Sequence, residues 1–204
     1  MGQVLAIDQL LSARTVWRGQ PVAPPPSAQP TGHAALDAAL PLGGWPEHAL
    51  SEVLLPSDGI GELELLVPTL SRLTQTKQIV VLVAPPYIPY APALQSRGID
   101  LRYLHIVDAE PKNALWAFEQ CLRSGTCAAV LGWPQKVDHH ALRRLQLAAD
   151  TGQALGIALR DTRHAEQASP AALRLEITVD RAVHVRKCRG GPAPARAFPL
   201  PVSH

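Results

Sequence analysis

Residues 50–66 read LSEVLLPSDGIGELELL, and this stretch decides the fold. Its first six residues are mostly apolar, which predicts a buried strand. A short run of turn-forming residues follows. Leucines then recur at helical spacing, which predicts a helix over 61–76. A buried strand that passes through a glycine-containing turn into a helix is typical of α/β proteins with a parallel sheet.

Further strand and helix patterns alternate along the rest of the chain. Apolar runs predict strands at 79–84, 103–107, 127–133, 154–159, 173–179 and 182–187. Amphipathic patterns predict one helix over 111–123 and another that Asp138 caps. The last two strands are expected to form a hairpin around Asp180. This order predicts an α/β fold with a mostly parallel central sheet and an antiparallel edge hairpin.

Proline-rich stretches divide the chain into three parts. Residues 1–30 are predicted to contain a short helix, a short strand and a proline-rich linker. Residues 31–188 are predicted to form the folded core. Residues 189–204 are basic and proline-rich, and they are predicted to be disordered on their own.

Composition limits the classes of function. The chain is 47% apolar and 18% charged, which fits a globular domain with a real core. Its three cysteines, Cys121, Cys127 and Cys188, lack the spacing of a metal site or a disulfide framework. No apolar run is long enough to span a membrane, and the N-terminus lacks the features of a signal peptide. The sequence therefore predicts a cytoplasmic protein without a metal, a cofactor or a membrane contact.

The loop between the first strand and its helix lies where a phosphate-binding loop would lie. Such a loop reads G-x-x-x-x-G-K-[ST], because backbone amides cradle the phosphate, lysine neutralises it and a hydroxyl holds magnesium. Here the loop residues are Leu55, Pro56, Gly59, Ile60, Gly61 and Glu62. Gly61 or Glu62 stands in place of the lysine, depending on the register. Because a carboxylate repels phosphate, the loop is predicted to be a degenerate nucleotide site.

Several longer stretches resemble a known family. They are TGHAALDAALPLGGWP (31–46), LLPSDGIGELELLVP (54–68), LVAPPYIPYAPAL (82–94) and LRSGTCAAVLGWP (122–134). These stretches resemble the ImuA family, whose RecA-like members are encoded with the error-prone translesion polymerase cassette of bacteria. The resemblance implies a RecA-like three-layer fold. It also implies a non-catalytic adaptor in DNA-damage-induced translesion synthesis, which would bind RecA and the polymerase-like protein ImuB, and indirectly an error-prone C-family DNA polymerase.

The same resemblance implies that two further catalytic positions are lost. Gly132 and Trp133 end the strand that in a RecA core carries the magnesium-linked aspartate. Pro85-Pro86 follows the strand after which the water-activating glutamate would stand. The sequence therefore predicts no catalytic residue and a protein that is not an enzyme.

Both ends of the chain are predicted to contact partners. At the N-terminus the candidate residues are Val4, Ile7, Leu11 and Trp17. At the C-terminus they are Arg186, Lys187, Arg189, Phe198 and Leu200. An extended, proline-stiffened segment suits peptide-in-groove recognition, and its arginines could make a weak contact with DNA.

An alternative interpretation is a cell division inhibitor that resembles SulA, which has the same degenerate core and blocks the tubulin-like division protein. The TGHAALDAAL lead-in (31–40) disfavours this alternative, because SulA proteins are expected to be shorter and to lack it. Two other interpretations stay open at this point. One is an active NTPase with an unusual loop, and the other is a RecA-like domain whose role the sequence does not reveal.

Overall fold

A single sheet organises the computed structural model, which describes residues 27, 29–135 and 137–200. Within these residues the strands are β1 (Leu50–Leu55), β2 (Ile79–Val83), β3 (Leu104–Val107), β4 (Cys127–Gly132), β5 (Leu155–Asp161), β6 (Leu173–Ile177), β7 (Ala182–Cys188) and β8 (Phe198–Pro199). They lie in the order β3-β2-β4-β5-β1-β6-β7-β8. Strands β1 to β6 pair in parallel, whereas β7 and β8 pair antiparallel at one edge. The predicted fold class, α/β with a mostly parallel sheet and an antiparallel edge, is confirmed.

In the described chain, one short helix precedes the sheet, and four helices connect its parallel strands. In chain order they are α1 (Ala34–Asp37), α2 (Glu62–Gln75), α3 (Ala91–Ser96), α4 (Pro111–Arg123) and α5 (His139–Thr151). As the sequence predicts, Asp138 caps α5, and its Oδ1 accepts a hydrogen bond from Ala141 N at 2.7 Å. No helix in the described part of the chain combines the length and the apolar character that crossing a membrane requires.

Apolar side chains cover both faces of the sheet. On one face α1, α2 and α3 pack over a cluster that includes Leu65 and Leu70, which are 0% and 1% exposed. On the other face α4 and α5 contribute Phe118 and Leu145, which are equally buried. Each such side chain stabilises the fold by about 1.5–3 kcal/mol. Burial on both faces explains why the parallel strands are continuous apolar runs.

Residues 31–46, which begin with the 31–40 lead-in, pack on α2. Thr31 donates from its N and Oγ1 to the Asp37 carboxylate, at 2.9 and 2.7 Å. Trp45 is fully buried, and its Nε1 donates to Thr69 Oγ1 on α2 at 2.9 Å. These contacts give the lead-in a structural role as a cap on the core.

The C-terminal segment differs from the predicted disordered tail. Residues 189–200 are described, and β8 pairs with β7 so that Val183 and Phe198 are opposite each other. Leu200 N also donates to Arg181 O at 2.9 Å. The physical reason is that an antiparallel edge strand offers unpaired backbone groups, which the returning chain satisfies. Residues 1–26 and 201–204, including the predicted N-terminal helix and strand, lie outside the described residues.

Candidate functional site

The loop after β1 is closed by the first residue of its own helix. Gly59 N donates to both Glu62 carboxylate oxygens, at 2.9 and 3.1 Å, and Gly61 N donates to Glu62 Oε2 at 3.2 Å. Glu62 is only 6% exposed. Backbone amides at a helix N-terminus are the groups that bind a free anion in phosphate loops. In this loop the Glu62 carboxylate accepts their hydrogen bonds as an internal anion.

Two glycines give the loop its path. Gly59 and Gly61 have φ angles of 83° and 119°, in the region that favours glycine over residues with a Cβ. A Cβ on Gly61 would lie 3.3 Å from Nη2 of Arg181, which belongs to the turn between β6 and β7. The loop is therefore held between its own helix and a neighbouring turn.

Carboxylates gather beside this loop. The pKa of Asp58 is raised by loss of hydration, and further by the negative charges of Glu62 and Asp161. The adjoining cavity, which Leu55 and Trp133 also line, has a volume of about 80 Å³. Ligand pockets typically measure roughly 300–1,000 Å³. Asp58 and Asp161 line the cavity together with Arg160 and Arg163, so its size, and not its net charge, opposes a ligand as large as a nucleotide.

A buried ion triad lies directly beneath the loops at this edge. Glu52 on β1 is 0% exposed, between Arg160 on β5 and Arg174 on β6. Arg160 Nη1 donates to Glu52 Oε1 at 2.5 Å, and Arg174 Nε lies 2.7 Å from Glu52 Oε2. The second contact is an ion pair without the alignment of a hydrogen bond. The three charges leave one buried positive charge in excess.

Backbone carbonyls compensate the excess charge of the triad. Arg174 Nη1 donates to the carbonyls of Ala165 and Gln167, at 2.9 and 3.1 Å. Arg160 Nη2 donates to the carbonyl of Val137 at 3.2 Å. The triad thereby fixes the loops that follow β4 and β5 against the sheet.

The end of β4 is packed tightly. A Cβ on Gly132 would lie 2.6 Å from Cδ1 of Phe118, which belongs to α4. Only a glycine at position 132 therefore leaves room for the Phe118 ring. Trp133, which follows, is 8% exposed, and its Nε1 has no hydrogen-bond partner among the described residues. Trp133 also borders a larger cleft of about 590 Å³, at the carboxyl ends of β2, β3 and β4. Residues that line the cleft include Pro85, Pro86, Asp108, Lys112, Trp133 and Pro134.

The loop after β2 is strongly exposed and apolar. Tyr87, Ile88 and Tyr90 are 74%, 83% and 74% exposed. The loop leaves the sheet at Ala84, whose φ of 47° lies in the left-handed region and whose N donates to Val107 O at 2.9 Å. Exposed large apolar side chains that cluster in this way are typical of interaction surfaces.

The predicted C-terminal cations have partners within the chain. Arg186 forms ion pairs with Glu166 and, at 3.4 Å, with Glu176. Lys187 Nζ donates to Ser169 O at 2.8 Å, and burial lowers the pKa of Lys187. These contacts occupy two of the three basic residues that the sequence suggested for a partner.

The structure brings only some of the predicted site residues together. Of the predicted loop residues, Leu55 lines the same cavity as Trp133 at the carboxyl edge of the sheet, whereas Gly59, Gly61 and Glu62 line a separate groove. Phe198 and Leu200 are 4% and 6% exposed, so they belong to the core and not to an exposed anchor. Val4, Ile7, Leu11 and Trp17 lie outside the described residues.

Sequence reasoning missed the ion triad. The signal was present, because Glu52, Arg160 and Arg174 are charged residues inside otherwise apolar strands. Such residues are rarely buried unless they are paired. Among residues 27, 29–135 and 137–200, no group of three or more His, Cys, Asp or Glu residues is placed to hold a metal ion.

A family model and the curated relatives all point to the same protein family. The family model described as "Cell division inhibitor SulA" matches residues 49–156, more than half of the chain. Cell division inhibitor SulA of Klebsiella aerogenes is 30% identical over 105 residues, which cover 50% of this chain and 62% of that protein. The Edwardsiella piscicida protein of the same name is 29% identical over 97 residues, which cover 47% of this chain and 58% of that protein. These matches thus span about 60% of the relatives' own length.

Among solved structures, the crystal structure of SulA from Pseudomonas aeruginosa is similar to this chain. The TM-score is 0.46 and the sequence identity is 28%. The similarity covers 54% of this chain and 96% of that chain.

These comparisons overturn the resemblance on which the functional prediction rested. The prediction of an ImuA-family adaptor in translesion synthesis is wrong, and so is the partner set that followed from it, RecA, ImuB and an error-prone polymerase. The 31–40 lead-in misled the prediction, because it lies outside the matched region and packs as a cap on α2, where Thr31 O and His33 Nε2 contact Thr69 Oγ1 and Leu65 O. Over residues 49–156 the chain matches the model of the cell division inhibitor SulA, and it belongs to that family.

Proposed function

We propose that this protein inhibits bacterial cell division as part of the SOS response to DNA damage. The observation that carries the proposal is the family match over residues 49–156, which runs from β1 into β5 and includes most of the carboxyl edge of the sheet. The curated relatives are also named cell division inhibitors. The target would be the tubulin-like division protein, which the alternative interpretation of the sequence named.

We further propose that the protein acts by binding and not by catalysis. The loop amides of Gly59 and Gly61 already bind the Glu62 carboxylate. The neighbouring cavity has a volume of about 80 Å³, which is small for a nucleotide. Within the α/β class, the strand, loop and helix over residues 50–75 support a RecA-like core whose nucleotide site is degenerate.

Expression in a rod-shaped bacterium tests the proposed activity. Induction should produce filamentous cells that keep replicating their DNA, because division alone is blocked. In a purified system the protein should reduce the amount of division protein that sediments as polymer. Glu52→Ala, which removes the buried carboxylate, serves as a control for a destabilised chain. Normal division at high levels of folded protein would contradict the proposal.

Calorimetry with ATP and magnesium tests the absence of a nucleotide site. The protein should show no saturable binding, because Glu62 competes for the amides and repels phosphate. Glu62→Lys, which restores a positive charge at this position, should not restore hydrolysis, since Trp133 and not an acid directly follows β4. Saturable micromolar binding by the unmodified protein would refute this part of the proposal.

A further inference from the structure

The cleft of about 590 Å³ lies where the connections of the sheet change face. Strands β2 and β4 are parallel neighbours. The chain that leaves β2 enters α3, on the same face as α2, whereas the chain that leaves β4 enters α5 on the opposite face. The two loops therefore diverge and leave a crevice between them. Open α/β sheets bind small ligands in crevices of this kind, outside the carboxyl ends of their strands.

The walls of the cleft suit an apolar molecule. Of the described residues that line it, all but Asp108, Lys112 and Gln135 are apolar. Its prolines are Pro85, Pro86, Pro111 and Pro134. Because proline fixes φ, the walls have little backbone freedom to lose when a ligand binds. The volume also falls within the range of roughly 300–1,000 Å³ that is typical of ligand pockets.

The charges at the mouth of the cleft favour a cation. Asp108 directly follows β3 and is exposed, and its carboxylate forms no ion pair or hydrogen bond with another described residue. Lys112 lines the same cleft, but its Nζ lies 2.9 Å from a carboxylate oxygen of Glu110. Two carboxylates thus stand against one ammonium, so these described side chains carry an excess negative charge. A cationic group on a ligand would compensate that charge.

We propose that this cleft binds a small, mostly apolar molecule that carries one protonated amine. The apolar body of the ligand lies against Trp133 and Leu115, and its ammonium donates to the Asp108 carboxylate. Such a charge-assisted hydrogen bond is stronger than a bond between neutral groups. The inference goes beyond the proposed function and is independent of it, because it uses no property of the division protein.

Titration of the ¹⁵N-labelled full chain with tryptamine, followed by amide chemical shifts, tests the proposal. Tryptamine combines an indole ring with one amine that is protonated at neutral pH. It should bind saturably, with a dissociation constant of about 1 mM or below, as expected for a ligand of this size. The amide signals of Ala109, Trp133 and Gln135, which line the cleft, should shift with the same dissociation constant.

Two matched probes separate the charge preference from apolar contact. Tryptophol carries a hydroxyl in place of the amine, and indole-3-propionate carries a carboxylate. Tryptophol should bind about tenfold more weakly than tryptamine, because a hydrogen bond to a charged group contributes more than a neutral one. Indole-3-propionate should bind more weakly still, since Asp108 and Glu110 repel its charge.

Three variants test the assigned residues. Asp108→Asn keeps the size of the side chain and removes its charge, so it should weaken tryptamine about tenfold and change tryptophol by less than about twofold. The matched control is Asp150→Asn, an exposed carboxylate near the end of α5, which should change tryptamine binding by less than about twofold. Ala114→Phe places a ring in the cleft and should weaken all three probes about tenfold or more.

The outcomes decide both parts of the proposal. Absence of saturable shifts at the cleft residues with about 10 mM tryptamine would overturn the site, because even a weak ligand of this size binds at that concentration. Equal affinity for the three probes, or full tryptamine affinity in the folded Asp108→Asn variant, would overturn the assigned ligand class. The expected order of the probes, together with its loss in Asp108→Asn, supports the site and the class together.

Discussion

The buried carboxylate of Glu52 allows a quantitative test of the structure. The variant Glu52→Gln keeps the shape of the side chain and removes its charge. Arg160 and Arg174 then remain buried, at 4% and 6% exposure, with two positive charges and no carboxylate between them. Removing one partner of a buried ion pair costs about 3–5 kcal/mol, and the second stranded arginine places this site at the upper end of the range.

Denaturation in urea, followed by circular dichroism, measures this loss of unfolding free energy, and a thermal melt of the same variant gives the change in melting temperature. For a chain of this size, 1 kcal/mol shifts the melting temperature by roughly 2–4 °C, so Glu52→Gln should melt about 10 °C or more below the unmodified protein. The matched control is Glu176→Gln on β6, whose ion pair with Arg186 is partly exposed. An exposed pair of this kind contributes about 0–1 kcal/mol.

A double-mutant cycle shows whether the effect comes from the stranded charge. Adding Arg160→Met to Glu52→Gln removes one of the uncompensated arginines, so the double variant should be more stable than the sum of the two single changes predicts. The expected coupling is about 1–3 kcal/mol. A cost below about 1 kcal/mol for Glu52→Gln, or strict additivity in the cycle, would refute the reasoning, because the triad would then be solvated or loosely packed.

Three further predictions concern other parts of the same fold. Phe198→Ala should cost about 3–5 kcal/mol in urea denaturation, because the ring is buried in the core; a neutral result would mean that the C-terminal segment does not pack. Gly132→Ala should cost about 1–3 kcal/mol, since its Cβ would lie 2.6 Å from the Phe118 ring, and an unchanged melting temperature would contradict this close packing. Asp58→Asn should raise the melting temperature at neutral pH. The pKa of Asp58 is raised in the folded state, so its ionised form destabilises the fold there; the gain should disappear below the ordinary Asp value of 3.8, and a gain that persists in acid would have another cause.

Part of the candidate site could be predicted from the sequence. The sequence predicts a strand and a helix on either side of the loop that precedes Glu62, and a strand at 127–133 that ends at Trp133. Both inferences depend on neighbouring residues only. The exposure of Tyr87 could not be predicted in the same way, because an apolar run next to a buried strand fits a core element equally well.

The family was the least predictable feature. From the sequence alone, residues 31–40 favour the ImuA family over the SulA family, because SulA proteins are expected to lack this segment. Thr31 binds Asp37 within this segment, and the Thr31 carbonyl accepts a hydrogen bond from Thr69 Oγ1 on α2 at 3.3 Å, so the segment is a local cap on α2. A short string of residues that satisfies a packing need carries little information about which partner the protein binds.

The sequence by itself determined the α/β class, strands β1 to β7, helices α2, α4 and α5, the closing hairpin and the cap at Asp138, but not the short elements α1, α3 and β8. Each of these depends on periodicity or on contacts a few residues apart, and such patterns are written directly in the chain. Only the tertiary structure decided that Glu52 pairs with Arg160, which is 108 positions away, and that Phe198 returns to the edge of β7. These contacts depend on which strands become neighbours. Because that order results from the packing of the whole sheet, no local pattern specifies it.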